Sequence, residues 1–320
     1  MAYQFGGSGI NALSQCGDHH GGREIIKLII MAGIAELIGN TPMAEIQRLN
    51  PNPNVKVYAK LEGNNPGGSV KDRPAYNMIK SAIDRGDINK DTVLIEATSG
   101  NTGIGMALVA SLFDVKIELV LPSNSTRERV LTMEAFGAKV TLMEGIEKCR
   151  DYAEEKAAGG GYYLLNQFAN PDNYLAHYKT TGPEIWRDTN QGITHFVSSM
   201  GTTGTIMGCS RFFKEKNPSI QIVGCQPTEE SCIPGIRRWS QEYLPKIFEP
   251  ERVDRVIDVS ETESVEMTRL LAKKEGLFAG MSSGGAASAA FQLAKELTSG
   301  VIVFIVCDRG DRYLSSDLFG

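Results

Sequence analysis

The sequence predicts an α/β fold of two lobes, each with a mostly parallel sheet covered by helices on both faces. Two observations lead there. From Met31 onward, short apolar runs rich in β-branched residues alternate with segments of helical period, and that repeated strand-then-helix order builds parallel sheets. The 320 residues also suffice to bury a sizeable core and to divide in two. In such folds ligands lie in the crevice at the carboxyl ends of strands, so the loops that follow strands are where chemistry is sought.

Taken in order, residues 1–22 are rich in Gly, Ser and Asn and carry no period, so 1–30 is expected to be a disordered extension without a motif. The stretch 25–35 is apolar apart from Lys27 and resembles a signal-peptide core, but no basic segment precedes it and no disulfide pattern follows. Folded structure is expected from Met31. Strands are expected at 55–61, 93–97, 116–121, 139–143, 162–165, 195–200, 220–224, 256–259 and 301–307. Helices are expected from the loop at 64–70 to about Arg85, and at 102–112, 127–136, 146–158, 205–216, 263–274 and 286–297. No long linker divides the chain. The lobe boundary falls near 167–173, giving lobes of 31–168 and 169–320.

A formal charge of −5 leaves no footprint for nucleic acid or an anionic membrane, and no apolar run is long enough to span a bilayer. The six cysteines (Cys16, Cys149, Cys209, Cys225, Cys232 and Cys307) form no CxxC pair, and the four histidines offer no ligand spacing beyond His19 and His20. This is the pattern of a reduced, cytosolic chain without a structural metal.

The stretch NNPGGSVKDR, 64–73, places Lys71 just after a run of turn-forming residues, with Ser69 as the expected helix N-cap. A lysine acts as an amine nucleophile only when its pKa falls well below its usual range, through burial or a positive local field such as a helix start. Lys71 is therefore either a Schiff-base lysine or a surface residue pairing with Asp72.

Two further joints decide between these readings. SSMGTTGT, 198–205, follows an apolar strand and opens a helix. Its glycines permit close backbone approach, its exposed N–H groups point at an anion, and Thr202, Thr203 and Thr205 add donors. It is either a phosphate cup or a tight turn, and it lacks both the Walker GK[ST] and the GxGxxG fingerprint. A cup together with a loop lysine and no nucleotide motif points to a phosphorylated cofactor able to react with an amine. TSGNTG, 98–103, repeats the design around Asn101: either it holds the carboxylate of an amino-acid substrate through Thr98, Ser99 and Thr102, or it is a helix start capped by its own hydroxyls. In GMSSGG, 280–285, one of Ser282 and Ser283 is expected to be an N-cap and the other to face a pyridine nitrogen. A neutral hydroxyl there leaves the ring a weaker electron sink, favouring expulsion of a β-leaving group over transamination.

In order, Lys71 in NNPGGSVKDR, Asn101 in TSGNTG, the MGTTGT cup and the serine of GMSSGG resemble the motifs of fold-type II pyridoxal-phosphate enzymes, most of all the cysteine synthases (O-acetylserine sulfhydrylases). The resemblance runs from Met31 to Gly320. It implies that Lys71 forms the internal aldimine of pyridoxal 5′-phosphate, that Asn101 contacts the ring oxygen, and that Gly201, Thr202, Thr203, Gly204 and Thr205 hold the phosphate. It further implies that Ser282 faces the pyridine nitrogen, and that Thr98, Ser99, Gly100, Thr102 and Gln167 bind substrate. IPGIRRW, 233–239, and CDRGDRYLS, 307–315, resemble the B isozyme, which also accepts thiosulfate and so makes S-sulfocysteine. Arg237 or Arg238 offers a donor fork suited to a sulfur dianion, with Trp239 as a pocket wall, or else Arg-Arg-Trp is an exposed interface anchor. Cys307 is either an inert buried thiol or a site contact. Gly68 departs from the alanine common in that isozyme.

The resulting expectation is a cytosolic, homodimeric enzyme performing β-replacement on O-acetylserine with sulfide or thiosulfate. O-phosphoserine sulfhydrylase, cystathionine β-synthase and serine or threonine dehydratase compete on the same fold, and a catalytically silent binding paralogue competes from outside it. Loss of the lysine or the cup would mark that paralogue, and both are present.

Overall fold

The computed structural model describes residues 33–98 and 100–320, all within one compact unit, Ala32–Gly320. The expected extension at 1–30 lies outside the described residues. The chain begins with β1 (Met43–Glu45), β2 (Val55–Leu61), α1 (Asp72–Arg85), β3 (Val93–Ala97), α2 (Asn101–Leu112) and β4 (Lys116–Pro122). It continues through α3 (Arg127–Ala135), β5 (Lys139–Met143), α4 (Gly145–Ala158), β6 (Tyr162–Leu164), α5 (Pro171–Lys179) and α6 (Thr181–Asp188). The last third holds β7 (His195–Ser199), α7 (Gly204–Lys216), β8 (Gln221–Pro227), β9 (Arg255–Val259), α8 (Glu261–Leu270), α9 (Met281–Glu296) and β10 (Gly300–Val306).

Two sheets result, in the orders β1-β2-β10-β7-β8-β9 and β5-β4-β3-β6. Every pairing is parallel except β1 with β2. Both sheets are covered by apolar clusters on two faces, the small one by α1, α2 and α3 on one side and α4 on the other. Burial on both faces is why the strands read as short β-branched runs rather than alternating ones. The expected α/β architecture is the one observed. A division at 168 is not: β1 and β2, from the first part of the chain, belong to the large sheet, because β2 pairs along its whole length with β10 from Val55 opposite Gly300 to Leu61 opposite Val306. The sequence cannot register that pairing, since nothing local to β2 names its neighbour.

Three other expectations are corrected. Ser69 is not the N-cap of α1; Lys71 occupies that position, and the Ser69 hydroxyl accepts the Lys71 N–H at 3.2 Å while the Ser69 backbone bridges to Asp308. Neither Ser282 nor Ser283 caps α9. Gly280 does, where any Cβ would lie 2.4 Å from Asp308 Oδ1 and from the Tyr313 ring. The helix expected at 263–274 starts two residues earlier, on a capping box between Ser260 and Glu263, and ends in a π turn at Leu271–Glu275.

Parallel pairing aligns carboxyl ends. Leu61 of β2 stands opposite Val306 of β10, and Val197 of β7 opposite Phe304. The loops carrying Lys71, Cys307 with Asp308, and Gly201 to Thr203 therefore leave the large sheet along one edge.

Candidate active site

Lys71 is fixed from two sides. The Val70 N–H donates to the Cys307 carbonyl at 2.8 Å, and the Lys71 carbonyl accepts from Ala75 at 3.1 Å as the first turn of α1. Loss of surrounding water pushes the Lys71 amine below its usual range, against the opposing pull of Cys307 and Asp308. The Cys307 thiol is itself pushed up to about 11 by burial, although the Lys71 charge acts the other way. Cys307 is thus a half-buried, neutral thiol beside the lysine. The two serines of α9 divide their roles: the Ser283 hydroxyl accepts the Cys307 N–H at 2.9 Å, while the Ser282 hydroxyl lies beside the Cys307 thiol.

The 98–103 loop follows β3 and opens α2. Asn101 donates to Asp308 Oδ2 at 2.7 Å and accepts from Arg312, whose guanidinium also reaches the Gly67 carbonyl. Tyr313 donates to the same Asp308 oxygen at 2.7 Å. Thr98 accepts the Gly100 N–H at 3.3 Å, and Thr102 donates to Gln167 Oε1 at 2.9 Å. Ser99 lies outside the described residues. Beside the loop, Arg129 on α3 stacks its guanidinium 5.7 Å from the Tyr313 ring centre.

The cup follows β7. Thr203 stands in left-handed backbone at φ 69°, and its buried hydroxyl has no hydrogen-bond partner among the described residues. Thr202 accepts from the Gly204 N–H at 3.4 Å and from Asn173 Nδ2 at 3.2 Å. A Cβ on Gly204 would meet Asn173 Oδ1 at 2.0 Å, so only glycine allows α5 to press this close. Thr205 contacts His177 Nε2 at 3.3 Å, and His177 Nδ1 contacts Thr181 at 2.9 Å. Burial holds that imidazole down to about 3, so it supports the cup as a neutral ring.

The structure links nearly every expected residue into one chain of contacts. Lys71 adjoins Asp308, Asp308 holds Asn101, Thr102 holds Gln167, and Asn173 bonds both the Gln167 carbonyl at 2.7 Å and Thr202 of the cup. The 233–239 segment joins through its backbone and its indole: Arg237 N–H to the Met200 carbonyl at 2.9 Å, and Trp239 Nε1 to the Gly201 carbonyl at 2.7 Å. The two guanidinium groups stand apart. Arg238 is tied to the Pro227 carbonyl and to Asp258, Arg237 to the Ile236 carbonyl at 3.0 Å, and both line a cleft of about 490 Å³ with Thr228, Ser231 and Trp239. Neither Lys71, Asn101 nor the cup lines that cleft.

Asn173, His177, Asp308 and Arg312 were not found from the sequence. Only Asp308 and Arg312 sat within a stretch singled out there. A lysine with a depressed amine and an unpartnered hydroxyl in an αL turn at a helix start together fit a phosphorylated aldehyde such as pyridoxal phosphate.

A family model described as pyridoxal-phosphate dependent enzyme matches residues 34–308. The chain is 56% identical to cysteine synthase B of Pseudomonas aeruginosa over 289 residues, covering 89% of this chain and 97% of that one. It is 53% identical to cysteine synthase B of Escherichia coli over 293 residues, covering 91% and 97%. Among solved structures, O-acetyl serine sulfhydrylase isoform 3 of Entamoeba histolytica superposes with a TM-score of 0.86 at 35% identity, covering 92% of each chain. A hydrogen sulfide-producing enzyme of Fusobacterium nucleatum superposes with a TM-score of 0.85 at 35% identity, covering 89% of this chain and 100% of that one.

Proposed function

The chain belongs to the pyridoxal-phosphate dependent enzyme family, among the cysteine synthases, and from that premise we infer that this site carries out β-replacement on O-acetyl-L-serine. The protein is a pyridoxal-phosphate enzyme of cysteine biosynthesis acting on small molecules. On our reading sulfide replaces acetate at the β-carbon to give L-cysteine, and thiosulfate in its place gives S-sulfocysteine. The enzyme works as a homodimer in the cytosol.

The observation that carries the site assignment is the Lys71 amine, depressed by burial and tied through Asp308 and Asn101 to the substrate loop and the cup. Pyridoxal phosphate, when bound, supplies a carbonyl carbon for that amine and an electron sink for the substrate's α-carbon. Gly201, Thr202, Thr203, Gly204 and Thr205 hold its phosphate, with Thr203 Oγ1 available to donate. Asn101 and Ser282 orient the ring. Thr98, Ser99, Gly100, Thr102 and Gln167 receive the substrate carboxylate, which sets the α-proton toward the lysine. Lys71, freed when the substrate's own amine displaces it, takes that proton as free amine, and the electron pair left on the α-carbon expels acetate from the β-carbon. The sulfur nucleophile then bonds to the β-carbon, and the lysine returns the proton to the α-carbon.

Replacing Lys71 with Ala is expected to lower turnover by about 10³-fold or more and to remove the visible absorbance band. Borohydride reduction followed by peptide mapping should place the label on Lys71, and a label elsewhere in folded protein overturns the assignment. The thiosulfate reading predicts that Arg237→Ala weakens thiosulfate use roughly 10-fold more than sulfide use, as expected for loss of a charge-assisted contact. Equal losses with the two donors would remove any dianion role for Arg237.

A further inference from the structure

Glu96, near the carboxyl end of β3, is 2% exposed and lies one strand residue before the substrate loop. Its carboxylate accepts two consecutive backbone N–H groups from the turn after β6, Asn166 to Oε2 at 2.9 Å and Gln167 to Oε1 at 3.2 Å. The turn needs holding, because Asn166 stands in left-handed backbone at φ 54°. Gln167 is then held at its N–H by Glu96, at its carbonyl by Asn173, at its Oε1 by Thr102 and through one Nε2 N–H by the Ala97 carbonyl at 3.5 Å, which leaves the second Nε2 N–H for a ligand.

We propose that Glu96 is a positioning residue for the substrate carboxylate, acting through the Gln167 turn rather than by touching substrate. The proposal rests on the assignment of Gln167 to the carboxylate site. A carboxylate suits the task because it is acceptor-only and offers one oxygen to each amide, whereas an amide at the same place turns one of those acceptors into a donor facing a donor. Other charges nearby are few. Arg150 and Glu154 of α4 border a cavity of about 20 Å³ on the far side of Glu96, with Arg150 stacked 5.3 Å over Phe168, the residue after Gln167. Burial raises the Glu96 carboxyl to about 7 against the pull of the two amides, so the acceptor-only form prevails on the alkaline side of that value, where the kinetics are read.

The test uses holoenzyme variants Glu96→Gln, Gln167→Ala and the double variant. Steady-state kinetics with O-acetyl-L-serine are combined with calorimetric binding of L-serine, whose hydroxyl is a poor leaving group. Glu96→Gln is expected to raise KM for O-acetyl-L-serine and Kd for L-serine together by roughly 10-fold, with kcat within about 2-fold and the visible band intact. In the Gln167→Ala background it should add nothing, because the two residues form one unit. Full additivity, an unchanged KM, or a fall in kcat and cofactor content in step with KM overturns the proposal. If Gln167→Ala itself leaves both constants unchanged, the carboxylate assignment fails first and takes the proposal with it. Should Glu96→Gln not fold, Glu96→Asp, which withdraws the carboxylate by one methylene, must still raise KM several-fold for the proposal to stand.

Discussion

Thr203 is a β-branched residue in left-handed backbone, a conformation that costs an L-residue roughly 1–2 kcal/mol and that glycine adopts freely. Its buried hydroxyl has no partner among the described residues, so the side chain's use lies in what that hydroxyl can donate to. Thr203→Gly should therefore leave the apoprotein's urea midpoint nearly unchanged, since relief of the φ strain offsets the added chain entropy. Cofactor affinity should fall by about 10-fold, the worth of one charge-assisted hydrogen bond. Spectrophotometric titration with pyridoxal phosphate measures it. Much at this scale was legible in the sequence. Lys71, the cup threonines and Asn101 stand out as candidates because turn-forming residues flank them. What separated Ser282 from Ser283 was not, because the choice depends on which hydroxyl the end of β10 reaches.

Lys60 on β2, Glu62 just after it, Arg73 on α1 and Glu184 on α6 meet almost entirely out of water. Arg73 bonds Glu62 and Glu184 at 2.7 Å each, and Lys60 reaches Glu184 at 2.8 Å. Glu62 also accepts from Asn65 at 2.9 Å, so the cluster braces the loop that carries Lys71. Burial alone would raise the Glu184 carboxyl, but Arg73 and Lys60 outweigh it and hold it down to about 2. An acid depressed in the folded state stabilises fully above its unfolded pKa, near 4.5, and that contribution is lost as pH falls through about 2. Glu184→Gln should cost about 3 kcal/mol in urea unfolding at pH 7, with the difference from the parent shrinking steadily between pH 4.5 and 2. A loss that does not change with pH would mean the charge is not what matters. Elements of strong period were legible to within a few residues, but α5 and α6 were not. The buried face of α5 carries Asp172, Asn173 and His177 beside Ala176, so its inward stripe is largely polar, and α6 is only 8 residues long, too short for its period to repeat.

At the scale of the whole fold, the described residues form two mostly parallel sheets of six and four strands whose candidate ligand loops leave from carboxyl ends, as a strand-then-helix order requires. The sequence alone determined the α/β class and the succession of most elements, and the resemblance of four of its motifs to a known family gave the cofactor and reaction type. The first two are properties of short spans, where side-chain period and turn residues act within a few positions of one another. Tertiary structure alone decided that β1 and β2 cross to the large sheet, that Asp308 and Arg312 near the end of the chain hold Asn101, and that Glu96 and Asn173 grip Gln167. Each is a hydrogen-bonded match between distant segments. Their partners are chosen by which strand ends the packed sheets bring together, and no local pattern encodes that choice.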